Sequence, residues 1–478
     1  MINYAGFRRI TPVRGFDATI PDNAKQNNYC WSMEEMGDYL YIGTARNILY
    51  SILSNQVFGD IPIPEILEPE NVDLRGEIWR CKKNGLGSWE LVYKAPSQPL
   101  GIGFRFMKRY TTPNQETALY AGLMTLTSDF FIVKSKDGKN WYPLDSNIQG
   151  SATRTMVEHK GILYMGALQV MGLTEPLLFA STDPENEGWT QIDLKGDPDK
   201  NPRGNIDLLL SFNDRLYVGT GRPTGFELWR TNGPYPLKDD WTLVVDQGAG
   251  DARNEHPWAL TVFKNHIYLG TAIEAAIMSL NPEEQIVPPK GFDVIRIDQN
   301  DRWELIVGGL PVVPTNPTTG TRGLPLSGYP SGFGNISNAY CWQLEVCGQE
   351  MYLGTFSWSI LIPVFLPLLP EILQLLLPSY QGGIIPDHVW SYLAEMVFAA
   401  GKNVFGFDLW KTKNGVDWRP VSLNGLGNNY NYGVRKLFLS QNRNLYLGTA
   451  NPFQGCEVWV KRPTNPKYYL PYKNVVVV

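Results

Sequence analysis

The pentapeptide Leu216-Tyr217-Val218-Gly219-Thr220 decides the fold of this chain, because close relatives of it recur along the sequence. Seven copies are centred on Tyr41, Tyr120, Tyr164, Tyr217, Tyr268, Tyr352 and Tyr446. Each copy is a short apolar run ending in Gly, a pattern typical of a buried β-strand. The three shortest distances between consecutive copies are 44, 51 and 53 residues. The sequence therefore predicts a repeat architecture.

Three further strands accompany each copy, except that the last copy lacks the outermost one. One carries Trp or Arg, as at Trp258, ten residues before Tyr268. A second resembles Glu227-Leu228-Trp229-Arg230, and a third begins at a Trp after a polar turn, as at Trp241. Seven such units predict an all-β fold, a seven-bladed β-propeller of four-stranded antiparallel blades. Residues near 5–12 are predicted to supply the missing outermost strand of the last blade and so close the ring. An open solenoid of stacked sheets is the alternative.

The composition is that of a globular protein, with 478 residues, 43% hydrophobic and 19% charged. We expect a single propeller domain over residues 1–478. The net charge of −5 argues against a cationic surface, so no nucleic-acid partner is expected. Five Cys without a CxxC pair argue against a disulfide framework and against a zinc knuckle. The first residues lack the apolar run of a secretory signal, which favours a cytoplasmic location.

The strand with Trp or Arg comes first in each unit and is predicted to be innermost, so that its marked residue faces a central channel. This ring mixes charged and aromatic side chains, namely Trp31, Arg105, Arg154, Asp207, Trp258, Trp342 and Arg435. Two interpretations stay open. The Arg side chains could stack on Trp or bond to neighbouring carbonyl groups. Alternatively, an Arg in a dry mouth could stabilise a departing anion while a Tyr or carboxylate moves a proton.

The loops that lead into the first strands are rich in Gly and Asn. They cover residues 248–254, 332–338 and 425–432. We interpret them as tight turns, because Gly tolerates a positive φ. A calcium site at Asp251, Asn254 and Glu255 is the alternative interpretation, since hard cations bind several oxygen ligands.

Three insertions lie between strands two and three of a blade. They cover residues 46–75 in blade 1, 272–289 in blade 5 and 357–402 in blade 6. The blade 6 insertion is almost wholly apolar over 360–377. Its prolines argue against a membrane-spanning helix, because each removes a helix hydrogen bond. A shorter helix is predicted from Asp387, its cap, to Gly401.

So much apolar surface must be covered. It could form a lid on the propeller mouth or on the blade 1 insertion. It could instead line a pocket for a long-chain substrate, or make a self-association or membrane-surface contact. The candidate substrate-binding residues are Trp31, Trp258, Trp342, Phe365 and Trp390.

The repeat resembles a family of bacterial β-propellers, above all in the runs Asn431-Tyr432-Gly433-Val434-Arg435 and Gly455-Cys456-Glu457-Val458-Trp459. That family includes the cyanobacterial alkylating enzymes that make cyclophanes by displacing chloride from an alkyl chain. The resemblance implies an Arg and a Tyr, with an acidic residue, beside an alkyl-binding tunnel. Arg105, Tyr432 and Asp207 match those roles here, and Arg435 is a further catalytic candidate. The β-roll domain of the characterised cyclophane enzyme has no counterpart, because no Gly/Asp nonapeptide repeats occur.

The leading functional prediction is therefore an alkylating transferase. Its apolar mouth holds an alkyl chain, Arg105 polarises the leaving group, and Tyr432 or Asp207 handles the proton. The alternative is a non-catalytic propeller that binds a hydrophobic small molecule, a lipid surface or a protein partner through its insertions, including self-association through residues 357–402. Apart from calcium, neither prediction involves a cofactor.

Overall fold

The chain is an all-β protein with a few short helices, which confirms the predicted class. The computed structural model describes residues 2–55, 61–83, 88–125, 130–144, 148–168, 175–273, 279–280, 286–287, 289–368 and 405–463. Within these ranges, none of the helices combines the length and hydropathy needed to span a bilayer.

Most strands fall into consecutive groups of four. A hairpin, β1 (Asn3–Tyr4) and β2 (Phe7–Arg9), comes before them. The first group is β3 (Asn27–Met36), β4 (Tyr39–Arg46), β5 (Glu77–Lys82) and β6 (Glu90–Lys94). The second is β7 (Gly101–Thr111), β8 (Thr117–Thr125), β9 (Phe131–Ser135) and β10 (Tyr142–Pro143). The third is β11 (Ala152–His159), β12 (Ile162–Leu168), β13 (Leu177–Ser181) and β14 (Thr190–Gln191). The fourth is β15 (Asn205–Phe212), β16 (Arg215–Gly221), β17 (Glu227–Thr231) and β18 (Trp241–Val245).

The later groups carry insertions. The fifth comprises β19 (His256–Phe263) and β20 (His266–Ala272), a small ribbon of β21 (Ser279–Leu280) and β22 (Ile286–Val287), then β23 (Val294–Ile297) and β24 (Trp303–Val307). The sixth is β25 (Asn338–Cys347), β26 (Glu350–Ser357), β27 (Leu409–Thr412) and β28 (Trp418–Ser422). The last is β29 (Gly433–Leu439), β30 (Leu445–Ala450) and β31 (Val458–Lys461). The α-helices of the described residues are α1 (Pro21–Gln26), α2 (Ile48–Ser54), α3 (Gln247–Gly250) and α4 (Leu361–Phe365).

The two ends of the chain meet in one sheet. Strand β2 pairs antiparallel with β31, with Arg8 opposite Val460 and Arg9 opposite Trp459. The N-terminal segment thus supplies a fourth strand to the last group, at the position predicted for residues 5–12. The first strands also contact one another in chain order, from β3 through β7, β11, β15, β19, β25 and β29, and β29 in turn contacts β3.

The Gly of each repeat is explained by the approach of the next sheet. A Cβ added at Gly270 would lie 2.1 Å from the Cys341 sulfur on β25, and one at Gly354 would lie 2.4 Å from Cβ of Val434 on β29. A Cβ at Gly448 of the last group would lie 2.4 Å from Cβ of Cys30, in the first group. Only Gly allows backbones to approach so closely. The repeat Gly is therefore a packing residue.

The described parts of the insertions pack together. Helix α2 contributes Ile48 and Leu53 to an apolar cluster, and residues next to α4 contribute Trp358 and Ile360. Residues in or next to several first and second strands complete this group, which we call the insertion cluster; among its members are Tyr29, Ile102, Met124, Trp342, Phe356 and Tyr432. Residues 357–368 thus lie on the inner strands and on the blade 1 insertion. The rest of that segment, with the predicted helix from Asp387, is outside the described residues.

Candidate functional site

The residues predicted to face the axis occupy the extra positions of β-bulges. The ladder between β7 and β8 pairs Phe104 with Leu123 and then Phe106 with Gly122, so Arg105 is the additional residue. The same irregularity occurs at Trp31, Arg154, Asp207, Trp258, Trp342 and Arg435. A bulge re-aims its extra side chain. All seven residues line one central cavity of about 310 Å³.

Each Arg of this cavity lies over an indole ring. The guanidinium carbon of Arg154 is 3.8 Å from the ring centre of Trp258. That of Arg435 is 5.0 Å from the ring centre of Trp342, and that of Arg105 is 5.3 Å from the ring centre of Trp31. Cation–π contacts hold a guanidinium in place and leave its charge intact. The prediction that the Arg side chains stack on Trp therefore agrees with these contacts. The stacked guanidinium groups can still bind an anion.

Asp207 is the acidic member of the ring. Its carboxylate lies 3.4 Å from Nε of Arg154 and 2.7 Å from Nδ1 of His256. Burial by itself would raise the pKa of Asp207, but His256 and Arg154 outweigh it and lower the pKa. The carboxylate therefore stays ionised and neutralises one of the three guanidinium groups.

Arg105 and Arg435 have no such partner. Among the described residues, no carboxylate oxygen lies within 4.0 Å of either guanidinium, and the buried Nε atoms of both lack a hydrogen-bond acceptor. The contact of Arg105 Nη1 with Met124 Sδ, at 3.9 Å, is a weak one. Burial lowers the pKa of Arg105, and repulsion from Arg154 and Arg435 lowers it further. The cavity wall therefore presents an excess of positive charge.

Two phenols lie beside this charge. The hydroxyl groups of Tyr29 and Tyr432 bond to each other, although the residues are 403 positions apart in the chain. Burial raises the pKa of Tyr29 to about 12 and the pKa of Tyr432 well above its usual value. Both phenols stay protonated at neutral pH. This favours a hydrogen-bonding role for Tyr432 over a role as a base.

Two residues of this site were missed in the sequence. Tyr29 and His256 each lie two positions before a bulge residue, Trp31 and Trp258 respectively. Side chains two apart in a strand share a face, so this spacing was the available signal. Of the remaining candidates, Phe365 packs partly buried on the insertion cluster, while Trp390 is outside the described residues.

Asp251, one of the residues proposed for calcium, holds a turn together. The Asp251 carboxylate accepts hydrogen bonds from the backbone N–H groups of Arg253, Val312 and Val313, at 3.0–3.1 Å. Gly248, at the start of this loop, has a φ of +61°, as a tight turn requires. No group of three or more acidic, His or Cys side chains in the described ranges is arranged to hold a metal. Calcium stays a prediction, and these contacts favour the tight-turn interpretation.

Asn254 belongs to a repeated pair of an Asn and a buried acid. It donates to Asp293 at 2.9 Å. Equivalent bonds join Asn27 to Glu77, Asn338 to Asp408 and Asn431 to Glu457. Cations accompany three of these acids, for example Arg322 at 2.8 Å from Asp293. Asp408 differs, because no cation of the described residues lies within 4.0 Å of it.

Asp408 should make stability depend on pH. Burial raises its pKa from 3.8 to about 6. Because the folded state holds this proton more tightly than the unfolded chain, the resulting stabilisation is present at pH 4 and is lost as the pH rises through 6. We compare the free energy of unfolding of Asp408→Asn with that of the natural protein. The difference, variant minus natural protein, should increase by about 2–3 kcal/mol between pH 4 and 7. Urea unfolding at both pH values measures this, with the exposed Asp417→Asn as a control; an equal response of the two variants would contradict it.

Comparison with known proteins gives fold-level likenesses only. No protein-family model and no curated protein matches the chain. Among solved structures, it is similar to the polysaccharide lyase Uly1, with 11% identity, a TM-score of 0.47, and 90% of this chain and 89% of that chain covered. It is also similar to the computationally designed Ika8 protein, with 9% identity, a TM-score of 0.39, and coverages of 91% and 96%. A sialidase from Trypanosoma rangeli shares 8% identity, with a TM-score of 0.38 and coverages of 74% and 57%. The resemblance to cyclophane-forming enzymes gains no support from these comparisons.

Proposed function

We propose that the chain binds a small amphiphilic anion in its central cavity. The observation that carries this proposal is the pair Arg105 and Arg435, whose guanidinium groups have no carboxylate partner among the described residues. Uncompensated positive charge in a partly desolvated site is costly, and a bound anion offsets that cost. Arg pairs with carboxylate and phosphate groups through two parallel hydrogen bonds, which suits either head group.

The surroundings of Arg105 support an apolar body for this ligand. Met124, in contact with Arg105, belongs to the insertion cluster. Trp31 and Trp342 line the cavity and belong to the same cluster. An acyl chain that extends from a head group on Arg105 would therefore meet apolar side chains.

The proposal takes the sheets as blades of a seven-bladed propeller that is closed by β2. Three observations support closure: the ring of contacts between first strands, the packing of Gly448 on Cys30, and the pairing of β2 with β31. The central cavity is then the propeller channel, with the insertion cluster at its mouth.

Calorimetric titration with octanoate tests the proposal. Octanol has the same chain without the charge, and acetate has the charge without the chain. We expect octanoate to bind at least about tenfold more tightly than either, because both halves of the ligand make contacts. If octanol binds as tightly as octanoate, the role of the Arg residues is rejected. If acetate binds as tightly as octanoate, the role of the apolar side chains is rejected.

An alkylating activity is the narrower candidate for the same site. Arg105 beside the Tyr29–Tyr432 pair offers the positive charge and O–H donors that a departing chloride needs. Incubation with a chloroalkane and a resorcinol tests this candidate. We expect product from the natural protein and little from Arg105→Ala; absence of product from both proteins would remove it.

Membrane-surface binding or self-association through residues 357–402 remains a separate proposal. It is supported by the apolar composition of the segment. Flotation with liposomes compares the natural protein with a variant that lacks these residues. Unchanged flotation of the deleted variant would count against it.

A further inference from the structure

Two charged residues line the central cavity next to the ring of bulge residues. Glu345 lies on β25 and Lys436 on the neighbouring β29, and both are partly exposed to the cavity. Lys436 directly follows Arg435, the extra residue of the bulge between Val434 and Lys436. The bulge explains how two consecutive residues of one strand can both face the cavity.

Lys436 differs from Lys134 and Lys290, the two fully buried lysines of the described residues. Nζ of Lys134 lies 2.6 Å from Glu185, and Nζ of Lys290 lies 2.9 Å from Asp293. No carboxylate oxygen of the described residues lies within 4.0 Å of Nζ of Lys436. Both of those ammonium groups are neutralised by an ion pair, whereas the ammonium of Lys436 is not.

Burial favours the neutral amine of Lys436. The groups that act on it are Glu345 on β25, Glu34 on β3, Lys108 on β7 and Arg435 on its own strand. Burial lowers the pKa of Lys436, and Arg435 and Lys108 lower it further, against the opposing effect of the two carboxylates. A Lys whose pKa is lowered by desolvation presents more of the nucleophilic neutral amine at a given pH.

Glu345 is suited to deliver a proton in the same space. Its carboxyl group accepts a hydrogen bond of 3.0 Å from the N–H of Val346. Burial raises the pKa of Glu345 to about 7. It therefore exists in both protonation states near neutral pH, as a general acid requires.

We propose that Lys436 forms a Schiff base with a small 2-oxo acid whose carboxylate pairs with Arg435. The neutral amine attacks the keto carbon, a C–N bond forms, and an amine proton moves to the former carbonyl oxygen. Protonated Glu345 then donates its proton to this hydroxyl group, the C–O bond breaks, and water leaves. The nitrogen lone pair completes the C=N bond, so that a protonated Schiff base faces the Glu345 carboxylate.

Reductive trapping tests the proposal. The full chain is incubated at pH 8 with pyruvate and cyanoborohydride, which reduces the Schiff base to a stable secondary amine. Peptide mass spectrometry then compares Lys436 with the exposed Lys413. We expect Lys436 to be labelled about tenfold faster than Lys413. Equal labelling of the two lysines would overturn the proposal.

Variants and a second carbonyl compound complete the experiment. Lys436→Arg keeps the charge and should lose this adduct, and Glu345→Gln should slow its formation several-fold; thermal melting shows that both are folded. Acetone lacks the carboxylate and should label Lys436 poorly, and equal labelling by acetone would overturn the assignment of a 2-oxo acid. This inference goes beyond anion binding. If octanoate does not bind but Lys436 is still labelled selectively, only the proposed anion binding is rejected. If octanoate binds but Lys436 is not labelled selectively, only the Schiff-base site is rejected.

Discussion

Gly270→Ala is expected to lower the free energy of unfolding by about 3 kcal/mol, because overpacking a rigid core forces backbone shifts. The added Cβ would lie 2.1 Å from the sulfur and 2.4 Å from Cβ of Cys341, a residue that is fully buried in the next sheet. Neither strand can move away, since each is hydrogen-bonded within its own sheet. Urea unfolding followed by Trp fluorescence measures the change.

Gly323→Ala is the matched control. A Cβ at Gly323 meets no atom within 4 Å. We expect its effect to stay within about 0.5 kcal/mol. If both variants lost the same stability, the repeat Gly would not be a contact between sheets, and the packing described above would be wrong.

Arg105→Met should change stability and binding in opposite directions. The substitution removes a guanidinium that has no carboxylate partner in the described residues and that is repelled by Arg154 and Arg435. Replacing a sheltered charge by an apolar side chain of similar length should stabilise the ligand-free protein by about 1–3 kcal/mol. The same change should weaken octanoate binding by about 2 kcal/mol or more, roughly 30-fold. Thermal melting without ligand and calorimetric titration measure the two effects.

Arg419→Met controls for the loss of any positive charge. Arg419 is exposed on β28, which is the fourth strand of its group, whereas the cavity is lined by the first strands. We expect neither stability nor octanoate affinity to change beyond experimental error. A destabilised Arg105→Met would instead show that Arg105 supports the fold, and unchanged octanoate affinity would remove Arg105 from the site.

The fold was predictable because its determinants are local and repeated. The strand around Tyr217 recurs with its Gly, and in four of the seven repeats a Trp or Arg ten residues before the repeat Tyr marks the bulge of the first strand, as at Trp258. Aligning the repeats was therefore enough to collect the cavity-lining residues. The number of blades and the closure of the ring stay predictions.

The arrangement inside the site was not predictable, since it depends on long-range pairs. Tyr29 meets Tyr432 only because the ends of the chain lie side by side. His256 meets Asp207 across two sheets. Glu345 and Lys436 look like ordinary solvated charges in the sequence, and only the bulge at Arg435 shows that Lys436 faces the cavity.

The Gly-rich loop at residues 248–254 shows a second limit of prediction from sequence. Asp251 and Asn254 were candidates for calcium because they carry oxygen atoms in a Gly-rich loop. In the structure their side chains bond to N–H groups, a carbonyl group and a neighbouring acid. Composition alone could not distinguish a ligand set from a network that supports a turn.

Bromide soaked into crystals of the protein provides the most direct test of the central claim. Anomalous scattering locates bromide without assumptions about a ligand. We expect a bromide peak in the central cavity, in contact with the guanidinium groups of Arg105 and Arg435. Bromide found only on the outer surface, with water density between these two side chains, would contradict it.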